Sequence, residues 1–178
     1  MKKILITLMI LSFVGISSAQ GFKLGIAGTA AFPTGDWSEF TSTGYGGDAF
    51  GVFDLALLTL TVRAGYLSFG ENETEVLGEK YTKSVSAVPV MAGLRWGFGA
   101  PVGPSFYVGF EAGIHSFTTT VESGGVTIPL EGDEGSETKF ALGPNVGLEI
   151  AGFDLSAYYL LISDANYWGI RLGWGIGI

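Results

Sequence analysis

The 178-residue chain is acidic, with a formal net charge of −8, contains no cysteine and has a single histidine. Its length predicts one domain, and the missing cysteines exclude disulfides and thiolate metal sites. One histidine excludes a site with several histidine ligands. Because the negative charge repels nucleic acid, we expect no nucleic-acid partner.

Residues 1–19 have the pattern of a secretory signal peptide. Two lysines precede the uncharged apolar residues 4–16, and Ser17-Ser18-Ala19 supplies the small residues that signal peptidase requires. The alternative is an anchoring helix, but this apolar stretch is shorter than the roughly 20 residues that a membrane-spanning helix needs. We therefore predict a cleaved signal peptide over residues 1–19 and a single domain over residues 20–178.

From residue 22 onwards, large apolar residues alternate with small or polar ones, which predicts a succession of β-strands. Residues 70–83 and 118–138 are polar and are predicted to be long loops. Pro89 and Pro144 predict β-bulges, because proline cannot donate to a strand ladder. The second strand has no assigned facing, since glycines and aspartates interrupt its alternation. The eight predicted strands are residues 22–32, 45–54, 58–69, 87–98, 106–117, 139–150, 153–162 and 166–178.

The last strand has one large apolar face and one face made of glycine, Tyr167 and Arg171. Neither face resembles the charged, solvated side of an ordinary sheet. A transmembrane β-barrel explains both faces, with lipid outside and a tightly filled lumen inside. Since no apolar run after residue 19 is long enough for a helical span, a membrane protein of this sequence must cross as a closed barrel.

Several short segments mark the predicted strands and turns: Phe22-Lys23-Leu24-Gly25, Phe32-Pro33-Thr34-Gly35-Asp36, Ala64-Gly65-Tyr66, Val90-Met91-Ala92-Gly93-Leu94-Arg95, Gly109-Phe110-Glu111-Ala112-Gly113 and the final strand. Through these segments the chain resembles the small eight-stranded outer-membrane barrels of the OmpA/OmpX type, over essentially all of residues 20–178. None of these segments is a catalytic motif. The resemblance implies an all-β fold, an eight-stranded antiparallel up-and-down transmembrane β-barrel, in the outer membrane of a Gram-negative bacterium.

Further expectations follow from this resemblance. It implies a monomer without cofactor that contacts outer-membrane lipid and lipopolysaccharide. It also implies that the barrel-assembly machinery reads the final strand as an address. The apolar residues of that predicted assembly signal are Trp168, Ile170, Leu172, Trp174, Ile176 and Ile178.

All three arginines fall on the small-residue face of a strand, together with two glutamates. An eight-stranded barrel has an interior just wide enough for side chains, so we predict a lumen plugged by ion pairs; the alternative is a charged lumen that conducts or binds a solute. Counting along the strands predicts one level with Arg63, Glu111 and Arg171, and a second with Arg95, Glu149, Lys23 and Asp154. His115 is predicted to cap this network near the outer rim.

Two other functional classes stay open as alternatives. A lipid A-modifying barrel enzyme of the deacylase kind would carry a serine two residues after its histidine, but Phe117 occupies that position and Ser116 faces the other way. A soluble ligand-binding barrel of the lipocalin type would place its large apolar residues inside. We therefore predict a non-enzymatic protein that contributes to envelope integrity or surface contact.

Aromatic residues near the strand ends predict two girdles at the lipid interfaces. A stacking platform for sugars is the alternative. The predicted girdle residues are Phe22, Phe32, Tyr66, Trp96, Phe98, Phe106, Phe153 and Trp168.

Overall fold

The computed structural model describes residues 21–55, 58–76, 79–99, 103–123, 126–128 and 135–177. The predicted signal peptide and Ile178 lie outside these ranges and stay predictions. Within the same ranges, no helix is long and apolar enough to cross a membrane. The elements are β1 (Gly21–Pro33), α1 (Trp37–Phe40), β2 (Gly44–Leu55), β3 (Leu58–Val76), β4 (Glu79–Gly99), β5 (Ser105–Ser123), β6 (Val126–Ile128), β7 (Ser136–Ile150), β8 (Phe153–Ile162) and β9 (Tyr167–Gly177).

Eight long strands close into an antiparallel barrel, as the alternation of residues predicts. Neighbours in the chain pair with each other, and β1 closes the ring by pairing with β9. The short strand β6 pairs with β5 at Val121–Ser123, beyond Thr118, where the pairing of β5 with β7 ends. The eight-stranded up-and-down fold class is therefore confirmed.

The two faces of each strand differ as the sequence indicates. In β9, buried and exposed residues alternate strictly from Tyr167 to Gly175, because successive side chains point to opposite sides of a strand. Large apolar residues face outwards and are exposed, Ile26 at 70% and Leu172 at 57% among them. The inner side of the wall holds glycines, polar groups and ion-paired charges, together with buried rings such as Phe69 and Tyr167.

The barrel has two distinct ends. The lower end holds Gly21, Gly177 and the connections β2–β3, β4–β5 and β7–β8. The last of these is a tight turn through Ala151 and Gly152, whose φ angles are +50° and +86°, as hairpin turns of the primed types require. The upper end carries α1, the β3–β4 hairpin, β6 and the β8–β9 turn.

The two predicted long loops are largely strand, so these boundaries are corrected. β3 and β4 stay paired as far as Val76 and Glu79, with one register shift between Phe69 and Asn72, and β5 continues to Ser123. Backbone hydrogen bonds hold a ladder together whatever side chains the strands carry. These stretches are polar throughout, so they show no alternation of apolar and polar residues, and the sequence did not indicate that they are strands.

The predicted bulges at Pro89 and Pro144 are wrong. The registers of β4 against β3 and of β7 against β8 are the same on both sides of each proline. Each proline only interrupts the ladder on one side, because the missing N–H removes one bond without inserting a residue. Pairing with the other neighbour, at His115 for Pro89 and at Phe110 for Pro144, is continuous.

Candidate functional site: the lumen of the barrel

Each of the eight long strands contributes a charged side chain to a set of ion pairs in the lumen, which joins four basic and four acidic groups. The short side chains and glycines on the inner face leave room for these long groups at the axis. In chain order, from β1 to β9 without β6, the eight residues are Lys23, Asp48, Arg63, Arg95, Glu111, Glu149, Asp154 and Arg171.

Arg63 and Glu111 form a two-pronged pair near mid-height. Arg63 Nε donates to Glu111 Oε2 at 3.0 Å, and Arg63 Nη2 donates to Glu111 Oε1 at 2.6 Å. Both side chains are buried. This fork-to-fork geometry is the strongest arrangement available to an arginine and a carboxylate, and it joins β3 to β5 across β4.

Arg171 pairs with Asp48 rather than with Glu111, which corrects the predicted level. Its Nε lies 3.1 and 3.0 Å from the two carboxylate oxygens of Asp48, and its Nη2 donates to Asp48 Oδ1 at 2.8 Å. Its Nη1 lies 3.4 Å from Asp154 Oδ1. Arg171 is 2% exposed, so this buried charge depends on both aspartates.

Asp154 connects the remaining arginine to this group. Arg95 Nη1 donates to Asp154 Oδ2 at 2.8 Å, and the Tyr107 hydroxyl donates to the same carboxylate at 2.9 and 3.1 Å. Asp154 thus bridges Arg95 and Arg171. At the lower mouth, Lys23 pairs with Glu149, and both are partly exposed. The predicted second level is therefore present as two separate pairs.

Each lumen arginine also lies over an aromatic ring. The guanidinium carbon of Arg95 is 4.2 Å from the centre of Tyr107, that of Arg171 is 4.3 Å from Phe50, and that of Arg63 is 5.0 Å from Tyr158. A planar guanidinium stacks favourably on a ring face while its edge binds a carboxylate. Tyr107 and Tyr158 lie over Gly147 and Gly169, their pairing partners on the adjacent strands, where a β-carbon would collide with the ring.

The upper part of the lumen is filled by aromatic and aliphatic side chains instead of charges. Trp37 of α1 reaches in from above, with ring centres 4.8 Å from Phe69, 5.9 Å from Phe117 and 6.2 Å from Tyr167. The sequence analysis did not predict this cluster. Its other buried members include Leu67, Met91, Leu160 and Ile162.

His115 belongs to this aromatic cluster rather than to the charge network. It is fully buried, and its Nε2 and the Tyr167 hydroxyl oxygen are 2.8 Å apart in a hydrogen bond. Ser116 faces outwards and bonds to Thr138 at 3.0 Å. The expected position of His115 near the upper rim agrees with the structure, whereas its expected role as the cap of an ionic network does not.

The predicted girdle residues lie at two rims. Tyr66 and Trp168 are exposed towards the upper end, where Phe32 stacks on Trp168 with ring centres 4.2 Å apart. Phe22 stacks on Phe53 at 4.8 Å near the lower end. The other predicted girdle residues, Trp96, Phe98, Phe106 and Phe153, are exposed at the lower end, and Ile170, Leu172, Trp174 and Ile176 of β9 are exposed along the outer wall.

Sequence reasoning missed three residues that the lumen depends on: Asp48, Phe50 and Tyr107. Tyr107 stands on the face already assigned to the lumen, beside Glu111. Asp48 and Phe50 lie on the strand whose facing was left open. The sequence did contain an indication, because Gly44, Asp48, Phe50 and Val52 stand at alternate positions and so share one face of β2. The pairing of Ala27 with Asp48 in the structure shows that this face is the inner one.

Cavities lie at the lower mouth and on the outer wall. Lys23, Asp54, Arg95 and Glu149 contribute to the lining of a cavity of 170 Å³ at the mouth. A groove of 610 Å³ follows the outward-facing Val62 and Ala64 and their neighbours. In the described part of the chain, no group of three or more histidine, aspartate or glutamate side chains is placed to hold a metal ion.

Comparison with solved structures identifies the fold. Neisserial surface protein A has 16% sequence identity to the chain, with 90% of this chain and 98% of that one covered and a TM-score of 0.52. The outer membrane protein OprG from Pseudomonas aeruginosa has 11% identity, with 90% and 97% covered and a TM-score of 0.58. The fold is that of the small outer-membrane β-barrels.

A third similar structure is Ail, the attachment invasion locus protein of Yersinia pestis, solved with the heparin analogue sucrose octasulfate. It has 17% identity, with 89% of this chain and 97% of that one covered and a TM-score of 0.52. No protein-family model and no curated protein sequence matches the chain. At these identities the similarity establishes the shared outer-membrane barrel fold and no more.

Proposed function

We propose that the protein is an integral protein of the bacterial outer membrane that carries out no catalysis, has a plugged lumen and acts through surface contact or envelope integrity. The observation that carries the proposal is the distribution of side chains between the two sides of the barrel wall. Paired charges face inwards, and a continuous apolar surface faces outwards. The similar outer-membrane barrel structures support the same location.

The outer wall is the first support. It exposes apolar residues from every long strand, for example Leu24 on β1, Val108 on β5 and Leu155 on β8. Soluble proteins rarely expose apolar patches larger than a few hundred Å². The lipocalin alternative requires the reverse arrangement, with the apolar face inside. Lipid around the wall satisfies this surface, and the aromatic rims then lie at the two interfaces.

The filled lumen is the second support. Asp48, Arg171, Asp154 and Arg95 form a linked set across the axis, with Arg63 and Glu111 above it. The aromatic cluster closes the space above these pairs. A hydrated ion would have to break buried pairs and displace packed rings, so we expect no steady conductance.

The absence of catalysis rests on His115. A general base needs a nucleophile within hydrogen-bond reach, whereas the Nε2 of His115 is engaged by Tyr167 and the adjacent Ser116 points away from it. The position that carries the serine of a barrel deacylase is Phe117. These contacts favour a structural role for His115 over the lipid A-modifying alternative.

Surface contact is favoured by the upper strands. β3 and β4 continue beyond Phe69, the last residue paired with β2, and β5 continues to pair with β6. With the short connections at the periplasmic end, as in outer-membrane barrels, this sheet stands outside the cell. The heparin analogue bound to Ail is a polyanion, but residues 118–138 here contain five acidic residues and no basic one. The favoured partner is therefore cationic.

Membrane insertion and conductance test the proposal together. The expected result is recovery in the outer-membrane fraction only with detergent, and planar bilayers that stay at baseline current. Recovery in the soluble periplasmic fraction would refute the membrane location. A large, steady native conductance would refute the plugged lumen while leaving the location intact. Salt-sensitive binding of the bilayer-embedded protein to polylysine, without binding to heparin, is expected; the reverse preference would refute the cationic partner.

Biogenesis provides a separate test for the proposed assembly signal in β9. The barrel-assembly machinery is the proposed partner, and lipopolysaccharide and lipid surround the inserted monomer. Replacing Leu172 and Ile176 together by serine should reduce insertion strongly, because both side chains face outwards on β9. Replacing Asp36 and Glu39 together by serine, at two exposed positions of the upper loop, is the control. Equal insertion of both variants would refute the assignment.

A further inference from the structure

The segment between β1 and β2, residues 34–43, folds over the upper end of the barrel instead of standing free. Asp36, Ser38 and Glu39 are exposed, whereas Trp37 turns into the lumen and packs on the upper cluster. We call residues 34–43 the lid. Trp37 is thus a large apolar side chain that attaches the lid to the barrel.

Trp37 contacts three aromatic rings of the upper cluster. Phe69, Phe117 and Tyr167, here called the aromatic cup, come from β3, β5 and β9. Trp37 meets Phe69 and Phe117 edge to face, with interplanar angles of 64° and 82°. Edge-to-face contacts are a preferred geometry for aromatic pairs and contribute about 0.5–1.5 kcal/mol each beyond burial. The cup is therefore shaped for a planar aromatic ring entering from above.

Besides Trp37, the lid is held by the Thr34 hydroxyl, which donates to Asn166 O at 3.2 Å, and it buries Thr41, which is 3% exposed. Its helix has four residues and local bonds, Ser38 N to Gly35 O at 3.0 Å and Glu39 N to Asp36 O at 3.2 Å. Isolated helices shorter than about 12–15 residues are marginal in water. At its ends, Thr34 N donates to Asn166 O at 2.9 Å and Gly70 N donates to Thr43 O at 3.2 Å.

We propose that Trp37 is a built-in occupant of a binding site for an external aromatic ring, and that the lid opens as a unit to let such a ring replace Trp37 while the barrel stays closed. The site takes an indole or phenol ring presented from the upper side. The ring enters the space between Phe69, Phe117 and Tyr167, with the hydrogen-bonded His115 beneath it.

Amide hydrogen exchange tests whether the lid opens as a unit. The amides of Thr34, Ser38 and Gly70 report its two ends and its centre. In Trp37→Ala, exchange at all three should accelerate by a common factor of about tenfold or more, equivalent to the loss of one or two aromatic contacts, while the β9 ladder stays protected. Trp37→Phe, which keeps a ring, should give a smaller common factor.

Trp96→Ala is the matched control, since it removes an indole from the outer wall far from the lid. It should leave the three lid amides unchanged. Acceleration confined to Ser38 in Trp37→Ala would indicate helix fraying and would overturn the concerted lid. Equal acceleration throughout β9 would indicate global destabilisation and would overturn it as well.

Binding of free indole tests the cup itself. His115 is the only histidine in the chain, so its ring signals provide a single NMR reporter beneath the cup. Saturable shifts are expected for both proteins, with tighter binding to Trp37→Ala, because the wild type must first open the lid. Indole should also accelerate exchange of the wild-type lid amides, since it binds the open state. Cyclohexanol at equal concentration should do neither. A lack of saturation in Trp37→Ala, or equal affinity for the two proteins, would refute the site.

Discussion

The lower and upper halves of the lumen are filled by different kinds of side chain. Below mid-height, buried arginines and carboxylates hold each other, as Arg171 does with Asp48 and Asp154. Above it, Phe69, Leu160 and Tyr167 fill the space with rings and aliphatic chains. The two halves therefore depend on different properties of their residues.

The difference determines which substitutions each half tolerates. A buried ion pair depends on charge balance, because removing one partner leaves the other unpaired in a medium that solvates it poorly. An apolar cluster depends on volume and shape, so a replacement of similar size is tolerated. The half that is more sensitive to shape should be the less sensitive to charge. Substitutions in the lumen test this contrast, and one on the outer wall tests the facing on which it depends.

The largest effect is expected in the ionic half. Glu111→Ala leaves the guanidinium of Arg63 buried without its carboxylate, and should lower the free energy of unfolding by about 3–5 kcal/mol. Thermal or denaturant unfolding of the detergent-solubilised barrel measures it. The double variant Glu111→Ala, Arg63→Ala should lose less than the sum of the two single losses. Strict additivity would mean that these charges are independently hydrated, against the plugged lumen.

The second-largest loss of stability is expected on the outer wall, where an arginine would face lipid without a carboxylate to pair with. Trp174→Arg places a guanidinium on the apolar face of β9, at an expected loss of about 2–4 kcal/mol if this level lies near the membrane midplane. Folding yield into vesicles and unfolding in them are the measurements. Glu39→Arg, in the exposed lid, is the control and should be neutral. Equal losses at both positions would contradict the assigned facing.

A smaller effect is expected from a shape-conserving change in the apolar half. Leu160 is fully buried in the upper cluster, and Leu160→Met keeps its volume, so it should lose less than about 1.5 kcal/mol. The comparison is Glu111→Gln, which also keeps the side-chain shape but removes the charge, and should lose more. If the two isosteric changes have the same effect, the two halves do not differ as argued.

The smallest effect is expected at the lower mouth. Lys23 and Glu149 are partly exposed, with side-chain exposures of 21% and 30%. Water and salt screen such a pair, so Lys23→Ala should lose about 0–1 kcal/mol. Unfolding at low and high salt measures the loss and its screening. A loss as large as that of Glu111→Ala would show that water screens the Lys23–Glu149 pair as little as it screens the buried pair of Arg63 and Glu111.

The sequence predicted best those features that depend on neighbouring residues of one strand. Alternation along each segment predicts which side chains face lipid and which face the lumen, and the structure agrees for the residues of β1, β3, β4, β5, β7, β8 and β9. The prediction of facing and of strand length failed where apolar and polar residues no longer alternate. Glycines obscured the facing of β2 and with it Asp48, and polar residues beyond Phe69 concealed the upper parts of β3 and β4.

Partners across the lumen were harder to predict than facing. Counting residues along each strand gave Arg171 the same height as Glu111, yet it binds Asp48 and Asp154. Strands in a barrel are tilted and staggered, so equal counts do not mean equal heights or adjacent positions around the axis. The position of Trp37 could not be predicted either, because nothing in the sequence of the four-residue helix α1 indicates that its ring enters the barrel.

By itself, the amino-acid sequence determined the number of long strands, the apolar outer wall and the inward position of the paired charges other than Asp48, since a period of two residues follows from backbone geometry alone. Only the tertiary structure decided which charges meet, that Asp154 links two arginines, and that an aromatic cluster closes the upper end. These features depend on ring closure and stagger, which bring residues from distant strands to one point inside the barrel.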